Sequence, residues 1–236
     1  MGKELLINRN DTPHQIADTF IELVTEQSFA KASISEVCSR IGISRKTFYR
    51  HFPNKQMVMK YIFRGDLGRQ LLVAYPDEQL VYLPRDEFRK FYQLPVYARA
   101  PMQGRFMDQG LFVSCLIQSM QRHRDYYLKL LDPQEDESFR EYFRALYTPL
   151  LAEDVKLILD GRYLPAKLIG YLAEYHTMGL LAMLPMQVAD NDRFALDGDL
   201  NPLLNLTHES LYAVVERHHQ DRPPEEESPF YVFDHR

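Results

Sequence analysis

The sequence predicts an all-α protein, and three observations carry this prediction. Apolar residues recur three or four positions apart through most of the chain, as they do along one face of a helix. Residues that start helices (Ser, Thr, Asn and Pro) precede several of these stretches, and glycine or proline follows some of them. With 236 residues, of which 45% are hydrophobic, the chain can also bury a sizeable core.

The first two predicted helices are short and have clear starting signals. In TPHQIADTFIELVTEQ we expect Thr12 to be the N-cap and Pro13 to occupy the first helical position. In the next helix, Ser33 and Glu36 have the spacing of a capping box. Gly42 stands where a left-handed residue would end this second helix.

A third short helix and a longer fourth helix follow directly. Ser44 is the expected cap of the third helix, and Pro53 and Asn54 should break it. The fourth helix is expected from about Lys55 to Leu72.

The remainder of the chain predicts a larger helical body with an irregular connector. Residues 75–107 contain four prolines and should be mostly loop, with a short helix around Asp86–Tyr92. Helical patterning resumes at 108–131 and again from about Phe139 to Leu159, where Pro149 should kink or split the helix. Two late helices are expected at 165–184, ending before Pro185, and at 202–219. The predicted domains are therefore residues 1–65, 66–220 and an acidic, proline-rich tail at 221–236.

Charge is distributed unevenly between these parts. Residues 1–65 contain ten Lys or Arg against six Asp or Glu, although the whole chain has a net charge of −5. No carboxylate occurs between Glu36 and Asp66, a stretch with seven cations. A basic module attached to an acidic body indicates a partner for the N-terminal part that is negatively charged.

The third helix combines an apolar face with a basic one. Phe48 and Phe52 are four residues apart and should plug into the core beneath the second helix. The opposite face then centres on Lys46 and Arg50, which can pair with guanine in a DNA major groove. Short helices around a glycine turn, with a basic third helix, indicate a helix-turn-helix unit. The candidate DNA-binding residues are Ser33, Ser44, Arg45, Lys46, Thr47, Tyr49, Arg50, His51 and Lys55.

These candidates divide by expected role. Thr47 can offer its methyl group to thymine, and Tyr49 and His51 can donate hydrogen bonds to phosphate. Ser33 and Lys55 open helices, whose N-termini favour phosphate. A basic stripe is by itself more often a solvated surface, but here it coincides with buried aromatics, a helix cap and a glycine turn.

The stretch ISEVCSRIGISRKTFYRHFPNK resembles the DNA-binding signature of the TetR family of bacterial transcription regulators. The matching positions are Ile34 and Val37, the IGIS turn of residues 41–44, and TFYRHF followed by Lys55. The wording RKTFYRHF is similar to a subset that includes regulators of dihydroxyacetone-kinase operons. Lys46 departs from the family pattern, in which this residue is often small, and should affect base preference.

The resemblance, which covers about residues 10–65, implies a transcription regulator that acts as a homodimer on operator DNA. We take it to be a repressor, although the residues do not distinguish a repressor from an activator. It also implies a helical C-terminal domain that dimerises and usually holds a small-molecule effector. The dimer would be a four-helix bundle of residues 165–184 and 202–219, with small residues at helical spacing as its candidate face: Ala166, Gly170, Ala173 and Thr177. Intrachain packing of that face is an equally good explanation. Candidate effector contacts are Tyr142, Tyr171, Tyr175 and His176, although such aromatics are more often core.

Enzymatic readings have little support in the sequence. It contains no Gly-rich phosphate loop and no nucleophile elbow. Glu216 and His219 form one Glu-x-x-His pair, whereas a di-metal site in a helix bundle needs two. We therefore expect no catalytic residue, no metal site and no cofactor. The alternative function is a DNA-bound scaffold of the same fold that recruits a protein partner. Two distant cysteines, no signal-peptide pattern and no long apolar run predict a cytoplasmic protein without membrane contact.

Overall fold

The computed structural model describes residues 11–83, 94–99 and 109–190, together with Ala213, Val214 and Arg217. This part of the chain is helical apart from turns, a 3-10 helix at Asp77–Gln79 and a small two-stranded antiparallel sheet. It confirms the all-α prediction. The elements are α1 (Thr12–Glu26), α2 (Ile34–Ile41), α3 (Arg45–His51), α4 (Lys55–Ala74), β1 (Leu80–Val81), β2 (Tyr97–Ala98), α5 (Gly110–Gln121), α6 (Arg124–Leu131), α7 (Ser138–Leu159) and α8 (Ala166–Ala189).

The predicted caps of the second and third helices are present. Ser33 accepts a hydrogen bond from the backbone N–H of Glu36, and Ser44 accepts one from that of Thr47. The prediction for α1 was wrong by one residue, because Asp11 is the N-cap and Thr12 is already helical. The Asp11 carboxylate accepts from the His14 N–H at 3.1 Å, and such a cap suits the positive end of a helix.

The connector and the following helix differ from the prediction. In place of loop alone, β1 and β2 pair Leu80 with Ala98 and Val81 with Tyr97. The helix expected over 108–131 is broken after Gln121, where α5 ends and α6 begins at Arg124. The change of direction lets α6 bury Tyr126 and Tyr127. Burial of these two large rings outweighs the backbone hydrogen bonds that one continuous helix would keep.

Both internal prolines lie inside helices that continue past them. The helix α7 runs through Pro149 without being split, and α8 passes Pro185 and reaches Ala189, so the predicted end before Pro185 was wrong. Proline removes one backbone hydrogen bond. In α8, Leu184 and Val188 are fully buried on either side of it, and this packing offsets the missing bond.

One hydrophobic cluster extends from α1 to α8, and a smaller one lies where α7 and α8 meet at the turn between them. The helix α4 is continuous across residue 65, so the proposed boundary between the first two domains lies inside a helix. No helix in the described residues is long and apolar enough to cross a membrane. The predicted helix at 86–92, the tail at 221–236 and all but three residues of the helix at 202–219 lie outside the described residues.

Candidate nucleic-acid interface

The turn between α2 and α3 sets the direction of the basic helix. Gly42 has φ +69°, a left-handed conformation that only glycine adopts without cost. Its N–H bonds to the Cys38 carbonyl and so ends α2. The Ser44 hydroxyl then starts α3 and also contacts the Thr47 hydroxyl at 3.0 Å. Sequence-local caps therefore define both ends of this turn.

The two faces of α3 are separated as the spacing predicted. Phe48 and Phe52 are both 0% exposed, with ring centroids 6.2 Å apart, and Phe52 packs on Tyr61 of α4. Lys46 and Arg50 are exposed on the other side, and among the described residues neither has an ion-pair partner. The helix thus presents two uncompensated cations on a surface anchored by two buried rings.

The flanks of this surface carry the remaining polar candidates. Tyr49 is 52% exposed, with its ring edge against Phe48. At the N-terminal end of α3, the Arg45 guanidinium donates to the Ser35 hydroxyl of α2. Ser33 is exposed, and because its oxygen only accepts in the cap, its hydroxyl proton is available to phosphate. His51 and Thr47 are half-buried at the edges.

One arginine of α2 offsets part of the negative charge of two nearby carboxylates. Arg40 pairs with Glu26 at 2.6 Å and with Glu36 at 3.5 Å. The hydrogen bond from Arg40 lowers the pKa of the Glu26 carboxyl. Arg40 balances one of these two carboxylates, so the positive charge of the unit comes from the cations of α3 and its flanks.

Lys55 behaves differently from the other candidates. Its ammonium group donates to the Phe29 carbonyl at 2.7 Å, to that of Ala30 at 3.0 Å and to that of Ala32 at 3.4 Å. It also lies 4.7 Å from the centroid of the Phe29 ring. The sequence contained no signal for these contacts, because they join residues 23 to 26 positions apart.

The four candidate effector residues fall on two surfaces. Tyr142 of α7 packs toward α4, with its ring 6.1 Å from Phe63 and 5.0 Å from the Lys60 ammonium. Tyr171 and Tyr175 of α8 are 65% and 63% exposed. His176 is half-buried with its ring 5.5 Å from that of Tyr175. The two exposed tyrosines therefore contribute little to the interior of the chain.

The small residues proposed for a dimer face also divide into two groups. Ala173 and Thr177 are fully buried, and the Thr177 hydroxyl receives a hydrogen bond from Thr148 of α7. Ala166 and Gly170 are exposed, and a Cβ built on Gly170 meets no atom within 4 Å. Intrachain packing thus accounts for half of this stripe.

A second stripe on α8 is exposed and was missed from the sequence. Its members are spaced four, three, four and four residues apart, which places them on one face: Tyr171, Tyr175, Met178, Ala182 and Met186. The spacing is visible in the sequence. A single sequence, however, does not show which of several apolar stripes the body covers. We refer to these five residues as the α8 stripe.

Comparisons with known proteins agree with this geometry. A family model described as bacterial regulatory proteins, tetR family, matches residues 16–62, which include α2, α3 and the start of α4. The mycofactocin biosynthesis transcriptional regulator MftR of Mycobacterium tuberculosis is 34% identical over 50 residues, or 21% of this chain and 25% of MftR. The dhaKLM operon activator DhaS of Lactococcus lactis is 29% identical over 84 residues, or 33% of this chain and 45% of DhaS. The chain therefore spans less than half the length of each of these relatives.

A solved structure extends the likeness to the body of the fold. A tetR family transcription regulator from Shewanella sp. PV-4 superposes with a TM-score of 0.50, covering 84% of this chain and 96% of that one at 14% identity. These relatives are regulators rather than enzymes, in agreement with the prediction that the chain is not an enzyme. The motif and the matched family model lead to one conclusion: residues 16–62 are similar to the DNA-binding part of the tetR family of bacterial regulatory proteins.

Proposed function

We propose that the chain is a sequence-specific DNA-binding transcriptional regulator whose α3 reads the major groove. The observation that carries this proposal is the exposed pair Lys46 and Arg50 on a helix held by two fully buried phenylalanines. A rigid helix that presents cations without carboxylate partners can place them against guanine bases. Tyr49 and Arg45 flank this pair on α3, Ser33 is exposed at the start of α2, and all three suit contacts with the DNA backbone.

The test begins by selecting binding sites from a random duplex library with the wild-type protein. Lys46→Ala and Arg50→Ala are then compared with wild type on the selected site by fluorescence anisotropy. We expect each variant to lose about 1–3 kcal/mol of specific binding and to relax the preference at the base it contacts. Lys156→Ala, which removes an exposed cation of α7, is the matched control and should bind normally. Unchanged affinity and selectivity in both α3 variants would contradict the proposed reading face.

We also propose that the protein binds its operator as a homodimer through the α8 stripe. A single helix-turn-helix unit contacts one half-site, and a two-fold dimer places two recognition helices about one DNA turn apart. Two tyrosines, two methionines and an alanine on one exposed face are the kind of surface that a second copy covers. The neighbouring Arg144–Glu174 pair, at 2.9 Å, would lie at its polar rim.

Sedimentation of Tyr175→Glu tests the dimer. A charge in the middle of the stripe has to be buried in the interface, so we expect the variant to sediment as a monomer at concentrations where wild type is dimeric. Val73→Glu adds the same charge at an exposed apolar residue of α4 and should leave the dimer intact. A dimer in both variants would show that the stripe is not the interface.

Two finer parts of the proposal concern regulation. We propose repression that is controlled by a small-molecule effector in the helical body; of the sequence candidates, Tyr142 packs between α7 and α4. DhaS is named as an activator, so its similarity does not favour repression. A reporter gene behind the selected site separates the two, because a repressor lowers expression and an activator raises it. The cytoplasmic location stays a prediction from the cysteines and the missing signal-peptide pattern.

A further inference from the structure

We propose that Lys55 is a positioning residue that holds the α1–α2 turn, and with it the start of α2, rather than a phosphate contact. The ammonium group lies against the three carbonyls of Phe29, Ala30 and Ala32, at 2.7, 3.0 and 3.4 Å. An ammonium has three protons, and three acceptors therefore occupy its full donor capacity.

The carbonyls that Lys55 binds belong to a segment without its own helix or strand partners. Residues 27–33 connect α1 to α2, and a backbone carbonyl in such a turn needs a partner from elsewhere. The fully buried Phe29 anchors the turn, with its ring 5.8 Å from that of Phe20, and the Lys55 ammonium lies over its face. The lysine thus completes both the polar and the aromatic packing of the turn.

The turn leads directly into the DNA-reading elements. Ala32, whose carbonyl Lys55 binds, precedes Ser33, which caps α2 and is a candidate phosphate contact. Because Lys55 is also the first residue of α4, it joins the turn before α2 to the helix after α3. A movement of this turn would shift α2 and, through the Gly42 turn, the face of α3.

The environment of the ammonium agrees with this role. Burial lowers the pKa of Lys55, while the negative charge of Asp136 in the α6–α7 loop acts in the opposite direction. In the DNA-free protein, a lysine whose role is to bind phosphate would extend into solvent, as Lys46 does, and its ammonium group would stay hydrated.

Lys55→Arg distinguishes the two roles most sharply. Arginine keeps the positive charge and binds phosphate well, but its planar fork cannot direct three protons at carbonyls that surround one point. If Lys55 holds the turn, this variant should show faster amide exchange at residues 29–34 in the free protein. Its affinity for the selected DNA site should also fall, by about tenfold for each lost charged hydrogen bond. Unchanged affinity and unchanged exchange would overturn the proposal.

Lys55→Met provides the second measurement, at temperatures where the variant is fully folded. Losing a phosphate contact reduces the slope of log affinity against log salt by about one, whereas losing a positioning contact leaves that slope unchanged. We expect a weaker complex with the wild-type slope and a smaller preference for the selected site over random DNA. A slope reduced by about one, with wild-type amide exchange, would make Lys55 a phosphate contact and overturn the proposal.

The DNA measurements rest on the proposed function, but the exchange measurement does not. If the wild-type protein selected no DNA site, the proposed function would fail. Faster exchange confined to residues 29–34 in both Lys55 variants would still support the role of Lys55 in the turn, and wild-type exchange there would overturn it.

Discussion

The caps of the DNA-binding unit and the polar pairs of the helical body differ in how far apart their partners are in the chain. Ser33, Ser44 and Asn54 each accept a hydrogen bond from the backbone three residues later. In the body, Tyr127 donates to Asp66 across 61 residues, and the Tyr97 hydroxyl donates to Asp154 across 57. Local partners can be recognised in a sequence, whereas distant partners depend on how the helices pack.

The carboxylates of the two regions also differ in how deeply they are buried. Glu26 lies at the surface beside Arg40, and their hydrogen bond lowers the pKa of the glutamate. Asp66 and Asp154 are only 4% and 2% exposed, and burial raises the pKa of each carboxyl despite its hydrogen bonds. The Glu26–Arg40 pair of the DNA-binding unit therefore stays in contact with water, whereas Asp66 and Asp154 of the body depend on buried hydrogen-bond networks that have to be complete.

The largest expected loss of stability comes from removing the central acceptor of one of these networks. Asp154 accepts from Arg99 at 2.6 Å, from Gln109 at 3.0 Å and from the Tyr97 hydroxyl. Asp154→Ala leaves the buried Tyr97 hydroxyl and the half-buried guanidinium without this acceptor. We expect a loss of about 3–5 kcal/mol in the free energy of unfolding, measured with urea.

Glu153→Ala is the matched control, because it removes the preceding carboxylate of α7, which is exposed and pairs only with Lys156 among the described residues. Its effect should stay within about 0.5 kcal/mol. Equal losses in the free energy of unfolding of the two variants would show that the Asp154 network stabilises the body no more than a surface carboxylate does.

A smaller effect is expected from a local cap. Ser44→Ala removes the acceptor for the Thr47 N–H at the start of α3, and should cost about 1 kcal/mol in urea unfolding. Ser39→Ala changes an exposed serine inside α2 and should have an effect within about 0.5 kcal/mol. If Ser44→Ala destabilised the protein as much as Asp154→Ala, the contrast between local caps and distant networks would fail.

Much of the DNA-binding unit could be predicted because its signals are local. Two phenylalanines four residues apart, a glycine in the left-handed region and serine caps at α2 and α3 are visible in a short stretch, and all were found in place. The cap of α1 was misplaced by one residue, since Asp11 and Thr12 are both good caps and neighbours. In the body, Pro185 was taken as a helix end because its cost is local and visible, whereas the burial of Leu184 and Val188 that offsets it is not.

The same distinction applies to the candidate site. Periodicity and charge alone identified α3, its buried face and the exposed pair Lys46 and Arg50, because side-chain direction along a helix follows from residue spacing. The role of Lys55, the division of the small-residue face and the exposure of the α8 stripe required the packed fold. In each of these, the deciding partner is a carbonyl or a helix face that is distant in the chain, and only the folded arrangement brings it within contact distance.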